Sequence, residues 1–237
     1  GAVLLKNDNA ALPLAAGTEV SLLGRYAADP IYGGAGSGTV DASACVNLHD
    51  GIAAAGLNIN ETAFEFINGA YADYPKADIT MDNPSTACYY IGEIPWEKYS
   101  SDAQASIAGT TALVVIGRGG GEGGDLSRDL LGDLNSGVSQ TFTANDETAN
   151  YEEGQHELEL TVEEKSVLAA AKAACDKVIV LINASTPLEA GPLMSGEYAA
   201  DAILCIGSLG ATGANGVGKL LVGEYNPSGR PTDLWPA

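Results

Sequence analysis

Short apolar runs alternate with stretches of helical spacing along most of this chain. Apolar runs typical of buried strands occur at residues 19–24, 113–117, 177–183 and 202–207, and residues 57–60 are a further candidate strand. Helical patterns or helix-boundary signals occupy residues 47–56, 61–74, 161–175 and 213–223. This order predicts right-handed βαβ units and an α/β fold, a three-layer α/β/α sandwich around a mostly parallel sheet of about five to six strands.

One helix start carries a specific local signal. Thr161 and Glu164 have the spacing of a capping box, in which the hydroxyl and the carboxylate each satisfy a backbone N–H group of the first turn. Glu163 and Glu164 are otherwise expected to be solvated charges. Two segments lack periodicity: residues 78–100 are expected to be a connection with little regular structure, and the polar residues 127–155 a long insertion.

Two glycine-rich loops follow predicted strands. Residues 33–38 form the first loop, and residues 119–124 form the second, which carries a single carboxylate, Glu122. In a parallel sheet both loops emerge at the carboxyl edge, where open α/β sheets meet their ligands. Glu122 is therefore a candidate functional residue, although a solvated acid in a glycine turn is the commoner local interpretation. A phosphate site is disfavoured, because the chain has no G-x-x-x-x-G-K-[ST] motif and the acid repels phosphate.

Composition and charge narrow the function classes. The 237 residues include 11 Lys and Arg against 31 Asp and Glu, a formal net charge of −20 that repels nucleic acid and anionic lipid surfaces. No apolar run is long enough to span a membrane. The four cysteines lack metal-ligand spacing and there are two histidines, so no metal centre is expected; Cys175 and Cys205 are expected to be buried free thiols. We therefore expect neutral substrates, no nucleic acid partner and no membrane insertion.

Four motifs occur together, spread from end to end of the chain. They are residues 3–7 with 12–14, the glycine loop 33–38, Arg118 four residues before the Glu122 of a Gly-Glu-Gly sequence, and residues 226–230. In this order they resemble the α/β sandwich domain of glycoside hydrolase family 3, the β-glucosidase and β-xylosidase group. Segments such as Gly-Gln-His-Glu-Leu at 154–158 further resemble a subgroup from anaerobic bacteria.

The resemblance implies a flavodoxin-like sandwich and a retaining glycosidase whose active site is shared between two domains. A TIM-like barrel would supply the nucleophilic aspartate, while this domain, expected to span residues 1–237, would lend Glu122 as the general acid/base. Ser37 and Gly36 of the first glycine loop, together with Arg118, would contact the sugar. The implied substrates are carbohydrates with terminal, non-reducing β-linked sugars, and no cofactor is implied.

The chain also departs from the family pattern. Relatives usually carry Asp-Arg soon after the glutamate, whereas Asp125 and Arg128 are separated here, which leaves their role open. No second acid stands in a nucleophile-like context, so the isolated chain is expected to hydrolyse glycosides negligibly. The chain opens without Met and is expected to be a piece of a larger enzyme. His156, Trp96 and Trp235 could face a sugar, but such side chains are more often packed or on the surface.

Two other function classes stay open. A non-catalytic carbohydrate-binding or scaffold module could keep the fold without a catalytic partner. A nucleotide or phosphate binder is suggested by the glycine loops alone. It would bind a flavin or a dinucleotide, which the glycosidase hypothesis does not expect.

Overall fold

The computed structural model describes residues 1–34, 36–74, 91–120, 128–135, 151–232 and 235. Within these ranges six strands form one sheet, in the order β1-β6-β5-β4-β2-β3. The strands are β1 (Val3–Asn7), β2 (Glu19–Leu23), β3 (Asn58–Ile59), β4 (Thr111–Arg118), β5 (Lys177–Ala184) and β6 (Ala202–Cys205). Strands β2 to β6 pair in parallel, whereas β1 pairs with β6 in the antiparallel sense.

Helices cover both faces of this sheet. The described helices are α1 (Leu48–Ala53), α2 (Glu61–Ala70), α3 (Ser101–Ser106), α4 (Leu130–Asn135), α5 (Val162–Ala174), α6 (Gly191–Met194) and α7 (Gly213–Leu221). One face packs against α1, α4 and α7, and the other against α2, α3, α5 and α6. The predicted α/β/α sandwich is therefore confirmed. No described helix combines the length and the apolar character needed to cross a membrane.

Strand β4 shows why the sheet needs two helix layers. All of its residues are buried. Leu113 and Val115 belong to the core shared with α1 and α7, whereas Val114 and Ile116 belong to the core shared with α2 and α5. Because successive strand residues face opposite sides, a strand without polar alternation must be covered on both faces. Strands β4 and β5 stay in register to their carboxyl ends, where Arg118 lies opposite Ala184.

The structure confirms the five predicted strands and adds a sixth, β1. Residues 3–7, of which the first three are apolar, form an edge strand, and the local pattern does not reveal its antiparallel pairing with β6. The prediction of a long insertion without regular structure is wrong where the chain is described, because residues 130–135 form α4. Leu130 is fully buried there and donates its backbone N–H to the Gln155 carbonyl at 2.8 Å. A helix of six residues is too short to produce a detectable hydrophobic period.

Gly117 of β4 is a position where the packing leaves no room for a side chain. A Cβ atom there would overlap the ring of Tyr26, which is 2% exposed and donates its hydroxyl to the Ile91 carbonyl at 3.0 Å. The ring cannot move aside without breaking this buried hydrogen bond. We expect Gly117→Ala to lower the free energy of unfolding by about 1–3 kcal/mol in urea denaturation.

The matched control is Gly69→Ala in α2, where an added Cβ atom meets nothing within 4 Å. Alanine is the better helix former, so this variant should be unchanged or more stable by up to about 1 kcal/mol. Equal unfolding midpoints for the two variants would contradict the overlap with Tyr26.

Candidate functional site

The candidate site lies at the carboxyl edge of the sheet. Strands β2 and β4 are adjacent and parallel, so the loops that follow them leave the sheet at this same edge. We call residues 33–38 the serine loop and residues 119–124 the glutamate loop. The glutamate loop starts beside the residue that follows β5, since a Cβ atom at Gly120 would lie 3.9 Å from Ser185 Oγ. Glu122 itself lies outside the described residues, and its role stays a prediction.

The serine loop is attached to the sheet through the residues that precede it. Ile31 contacts the end of β5, where its backbone N–H donates to Asn183 Oδ1 at 2.6 Å. The loop after β6 holds the same segment, because Leu209 N–H donates to the Ile31 carbonyl at 3.1 Å and Gly210 N–H to the Tyr32 carbonyl at 2.7 Å. The chain therefore enters the serine loop from a position bonded to β5 and to the β6 loop.

The serine loop closes on itself. A short 3-10 turn runs over Gly36–Gly38 and carries Ser37, which is exposed. A Cβ atom at Gly33 would lie 2.6 Å from the Gly38 carbonyl oxygen and from Val40 Cγ2, so only glycine fits at the base of the loop. The structure thus places a hydroxyl and a nearly bare backbone, at Ser37 and Gly36, on a loop that leaves the predicted edge.

Arg118 ends β4 and is 1% exposed, with an acceptor for each of its five N–H groups. The carboxylate of Glu164 accepts from Nη1 at 2.6 Å and from Nη2 at 2.9 Å. The carbonyl of Glu157 accepts from Nε at 2.6 Å, and that of Glu159 from Nη2 at 2.7 Å. Nη1 also donates to the Gly117 carbonyl at 2.8 Å. With all donors engaged internally, this geometry favours a structural role for Arg118 over the predicted sugar contact.

The charge on Arg118 is stabilised by its partner. Burial lowers the pKa of Arg118, but the charge and the hydrogen bonds of the adjacent Glu164 carboxylate raise it, and the net pKa lies above the ordinary arginine value. The guanidinium is therefore charged, and the pair is a bidentate buried ion pair.

Glu164 also completes the predicted capping box, which the structure confirms. Its backbone N–H donates to Thr161 Oγ1 at 3.2 Å, and its carboxylate accepts from Thr161 N–H at 2.9 Å. The expectation that Glu163 and Glu164 are solvated is wrong, because they are 3% and 2% exposed. One carboxylate thus caps α5 and neutralises the arginine at the end of β4.

Glu93 is a buried acid at the same edge that sequence patterns did not single out. Its Oε1 accepts from the backbone N–H groups of Arg25 at 2.9 Å and Ile94 at 2.8 Å. The pKa of the Glu93 carboxyl is raised to about 8, chiefly by burial and then by the nearby Glu164 carboxylate, whereas the two N–H donors oppose the rise. The carboxyl packs beside Gly24, where φ is +87° and a Cβ atom would also meet the Val115 carbonyl.

Asn183 was likewise missed by the sequence analysis. It is fully buried near the end of β5, and its amide contacts Ile31 and Gly207. A usable signal was present, since a polar residue that ends an apolar run marks the carboxyl edge of a buried strand. Glu93 offered no such signal, because it lies in a segment without periodicity.

The three aromatic or histidine candidates have ordinary surroundings. His156 Nε2 lies 3.3 Å from the Glu159 carboxylate and 3.2 Å from that of Glu189, at a half-exposed position. The Trp96 ring packs against Tyr99 with centroids 4.7 Å apart and contributes to the apolar core. Trp235 packs partly buried against the same core.

The remaining candidates give no sign of a metal or redox site. Across the described part of the chain, no three His, Cys, Asp or Glu side chains are grouped so as to hold a metal ion. Cys175 and Cys205 are free thiols and are half-buried, less deeply than expected. Arg128 is exposed, whereas Asp125 lies outside the described residues.

The family follows from a comparison over the full sequence. The sequence profile of the glycosyl hydrolase family 3 C-terminal domain matches residues 2–237. The chain belongs to this family. β-Glucosidase A of Butyrivibrio fibrisolvens is 27% identical over 246 residues, which cover 100% of this chain and 27% of the relative. A β-glucosidase of Ruminococcus albus is 28% identical over 240 residues, which cover 98% of this chain and 21% of that protein. The family 3 domain therefore spans about a quarter of the length of these relatives.

Solved structures agree with the fold. A β-glucosidase from Paenibacillus barengoltzii superposes with a TM-score of 0.66 at 26% identity, over 94% of this chain and 22% of that one. β-Glucosidase 3B from Thermotoga neapolitana in complex with α-D-glucose gives a TM-score of 0.67 at 24% identity, over 96% of this chain and 28% of that one. The resemblance and the fold predicted from the sequence are both confirmed.

We predict that removing one partner of the buried Arg118–Glu164 pair lowers the free energy of unfolding far more than removing one partner of an exposed pair. Glu164→Ala would leave a buried guanidinium without its counter-charge and remove half of the capping box. We expect a loss of about 3–5 kcal/mol in the free energy of unfolding, measured by urea denaturation at pH 7. The control is Glu224→Ala, which breaks the exposed 2.9 Å pair with Lys219 and should change little. Comparable losses in the two variants would refute the special role of the buried pair.

The raised pKa of Glu93 predicts that the free energy of unfolding depends on pH in a specific way. A carboxyl with a raised pKa in the folded state binds its proton more tightly there than in the unfolded chain. Its contribution to stability is therefore fully present below about pH 4.3, the ordinary glutamate pKa, and is lost progressively up to about pH 8. The difference in unfolding free energy between the wild type and Glu93→Gln should therefore decrease as the pH rises across this window. The matched control, Glu97→Gln at an exposed position of the same segment, should follow the wild-type curve.

Proposed function

We propose that this chain is the sandwich domain of a retaining β-glycosidase, similar to β-glucosidases, which acts on terminal, non-reducing β-linked sugars. The match of the whole chain to the family 3 domain, together with relatives that are β-glucosidases, carries this proposal. The common sheet edge from which the serine and glutamate loops depart supports it. A net charge of −20 suits neutral carbohydrate over anionic substrates.

The proposed chemistry is divided between two domains. Glu122 protonates the leaving oxygen and then deprotonates water, while an aspartate of a TIM-like barrel in the same protein attacks the anomeric carbon. Retaining hydrolysis needs these two carboxyl groups about 5–5.5 Å apart. The sequence supports this role, because every other residue of the glutamate loop is glycine and Glu122 is its one ionisable group.

The serine loop is proposed to contact the sugar. Ser37 offers a hydroxyl that can both donate and accept a hydrogen bond, which suits a sugar hydroxyl. Gly36 allows the loop backbone to approach the ring closely. Arg118 is proposed to support the start of the glutamate loop, since its N–H groups are all engaged within the domain.

A non-catalytic carbohydrate-binding or scaffold module is the second candidate. The two candidates differ in whether Glu122 matters for turnover.

The test is Glu122→Gln in the full-length protein that contains this domain and its barrel. On an aryl β-glucoside with a poor leaving group, kcat/KM should fall about 10²–10⁴-fold, because proton donation is lost. The loss should be smaller with a 2,4-dinitrophenyl leaving group, which departs without protonation. Glu153→Gln, at an exposed position, is the control and should retain activity.

The isolated chain provides the complementary measurement. Without a second catalytic carboxylate it should show negligible hydrolysis of the same glucosides. Clear turnover by the chain alone would contradict the division of labour. Full activity of Glu122→Gln would favour the non-catalytic alternative for this domain.

A further inference from the structure

Asn183 holds the segment that leads into the serine loop. Its Oδ1 accepts the Ile31 backbone N–H at 2.6 Å, and its Nδ2 donates to the Ile31 carbonyl at 3.1 Å. The same Nδ2 donates to the Gly207 carbonyl at 2.6 Å. The side chain is fully buried and uses its acceptor and its donors on two separate loops. We call this arrangement the Asn183 clamp.

The sheet order explains why an amide is needed at this position. Strand β4 lies between β2 and β5, so the chain leaving β2 must cross the end of β4 to reach β5. Asn183 lies opposite Gly117 of β4, the residue whose missing side chain leaves room for Tyr26 of the crossing segment. At the crossing, the amide presents to Ile31 the same donor and acceptor that a neighbouring strand would present.

The clamp adjoins the turn that carries Ser37. Residues 31–32 are held by Asn183 on one side and by Leu209 and Gly210 on the other. The loop then begins at Gly33, which packs against the Gly38 carbonyl at the far side of the serine turn. A shift of Ile31 therefore moves the base of the turn, because little flexible chain separates the two.

We propose that Asn183 is a positioning residue for sugar binding, which acts by fixing the serine loop. This inference rests on the proposed function, in which Ser37 contacts the sugar. Without the clamp, the loop must be ordered when substrate binds, and that ordering weakens binding. The effect falls on KM more than on kcat, since no proton transfer passes through Asn183.

The test compares Ser37→Ala, Asn183→Ala and the double variant in the full-length protein. Each single variant should raise KM for an aryl β-glucoside about 3- to 10-fold, the size of one neutral hydrogen bond, with a smaller change in kcat. The double variant should be no worse than the more severe single variant, because both substitutions remove the same contact. Asn183→Asp is the second variant, which keeps the size and the acceptor but loses both donors, and it should also raise KM.

Asn60→Ala is the matched control. Asn60 is also a buried asparagine whose side-chain amide bonds to backbone groups, at Ala63 and Ser106. It lies next to Ser21 in the middle of β2, away from the carboxyl edge of the sheet. It should lower stability and leave KM unchanged. Hydrogen exchange of the Ile31 amide in the chain should accelerate in Asn183→Ala and not in Asn60→Ala.

The possible failures are distinguishable. Unchanged KM in Ser37→Ala overturns the serine contact of the proposed function, and with it the role of Asn183 in the sugar site. Raised KM in Ser37→Ala with unchanged KM in both Asn183 variants overturns the positioning role alone. Fully additive effects in the double variant also overturn it, because Asn183 would then act independently of Ser37.

Discussion

The buried ion pair between Arg118 and Glu164 is the constraint on which the carboxyl edge of the sheet depends. Taking both charges out of water is costly, and the cost is recovered only where geometry is good and the remaining donors are satisfied. Here the guanidinium is bidentate to the carboxylate and gives its other N–H groups to carbonyls. Because Glu164 also caps α5, the end of β4 and the start of that helix are held as one unit.

Two kinds of polar anchor support the two loops of the proposed site. A charged pair holds Arg118, just before the glutamate loop begins, whereas the neutral amide of Asn183 holds the approach to the serine loop. Glu93 adds a third buried polar group, which binds the backbone at the turn after β2. A loop made largely of glycine has little packing of its own, so its position depends on such anchors in the rigid sheet.

The division of labour proposed for the family 3 domain agrees with this construction. The sheet supplies a preorganised edge, and the loops that leave it carry few side chains. Such an edge can present a proton donor and a hydroxyl to a neighbouring domain without building a pocket by itself. Sugar specificity would then depend chiefly on the barrel.

The sequence by itself determined the parallel α/β sandwich, the capping box at Thr161 and the common edge of the two glycine loops. These features come from periodicity, helix signals and strand order, which are local or follow from general topology. Tertiary structure alone decided the roles of Arg118, Asn183 and Glu93. Their partners lie 46, 152 and 68 residues away along the chain, so no local pattern encodes them. A buried polar group is defined by the distant group that satisfies it, and only the folded chain brings the two together.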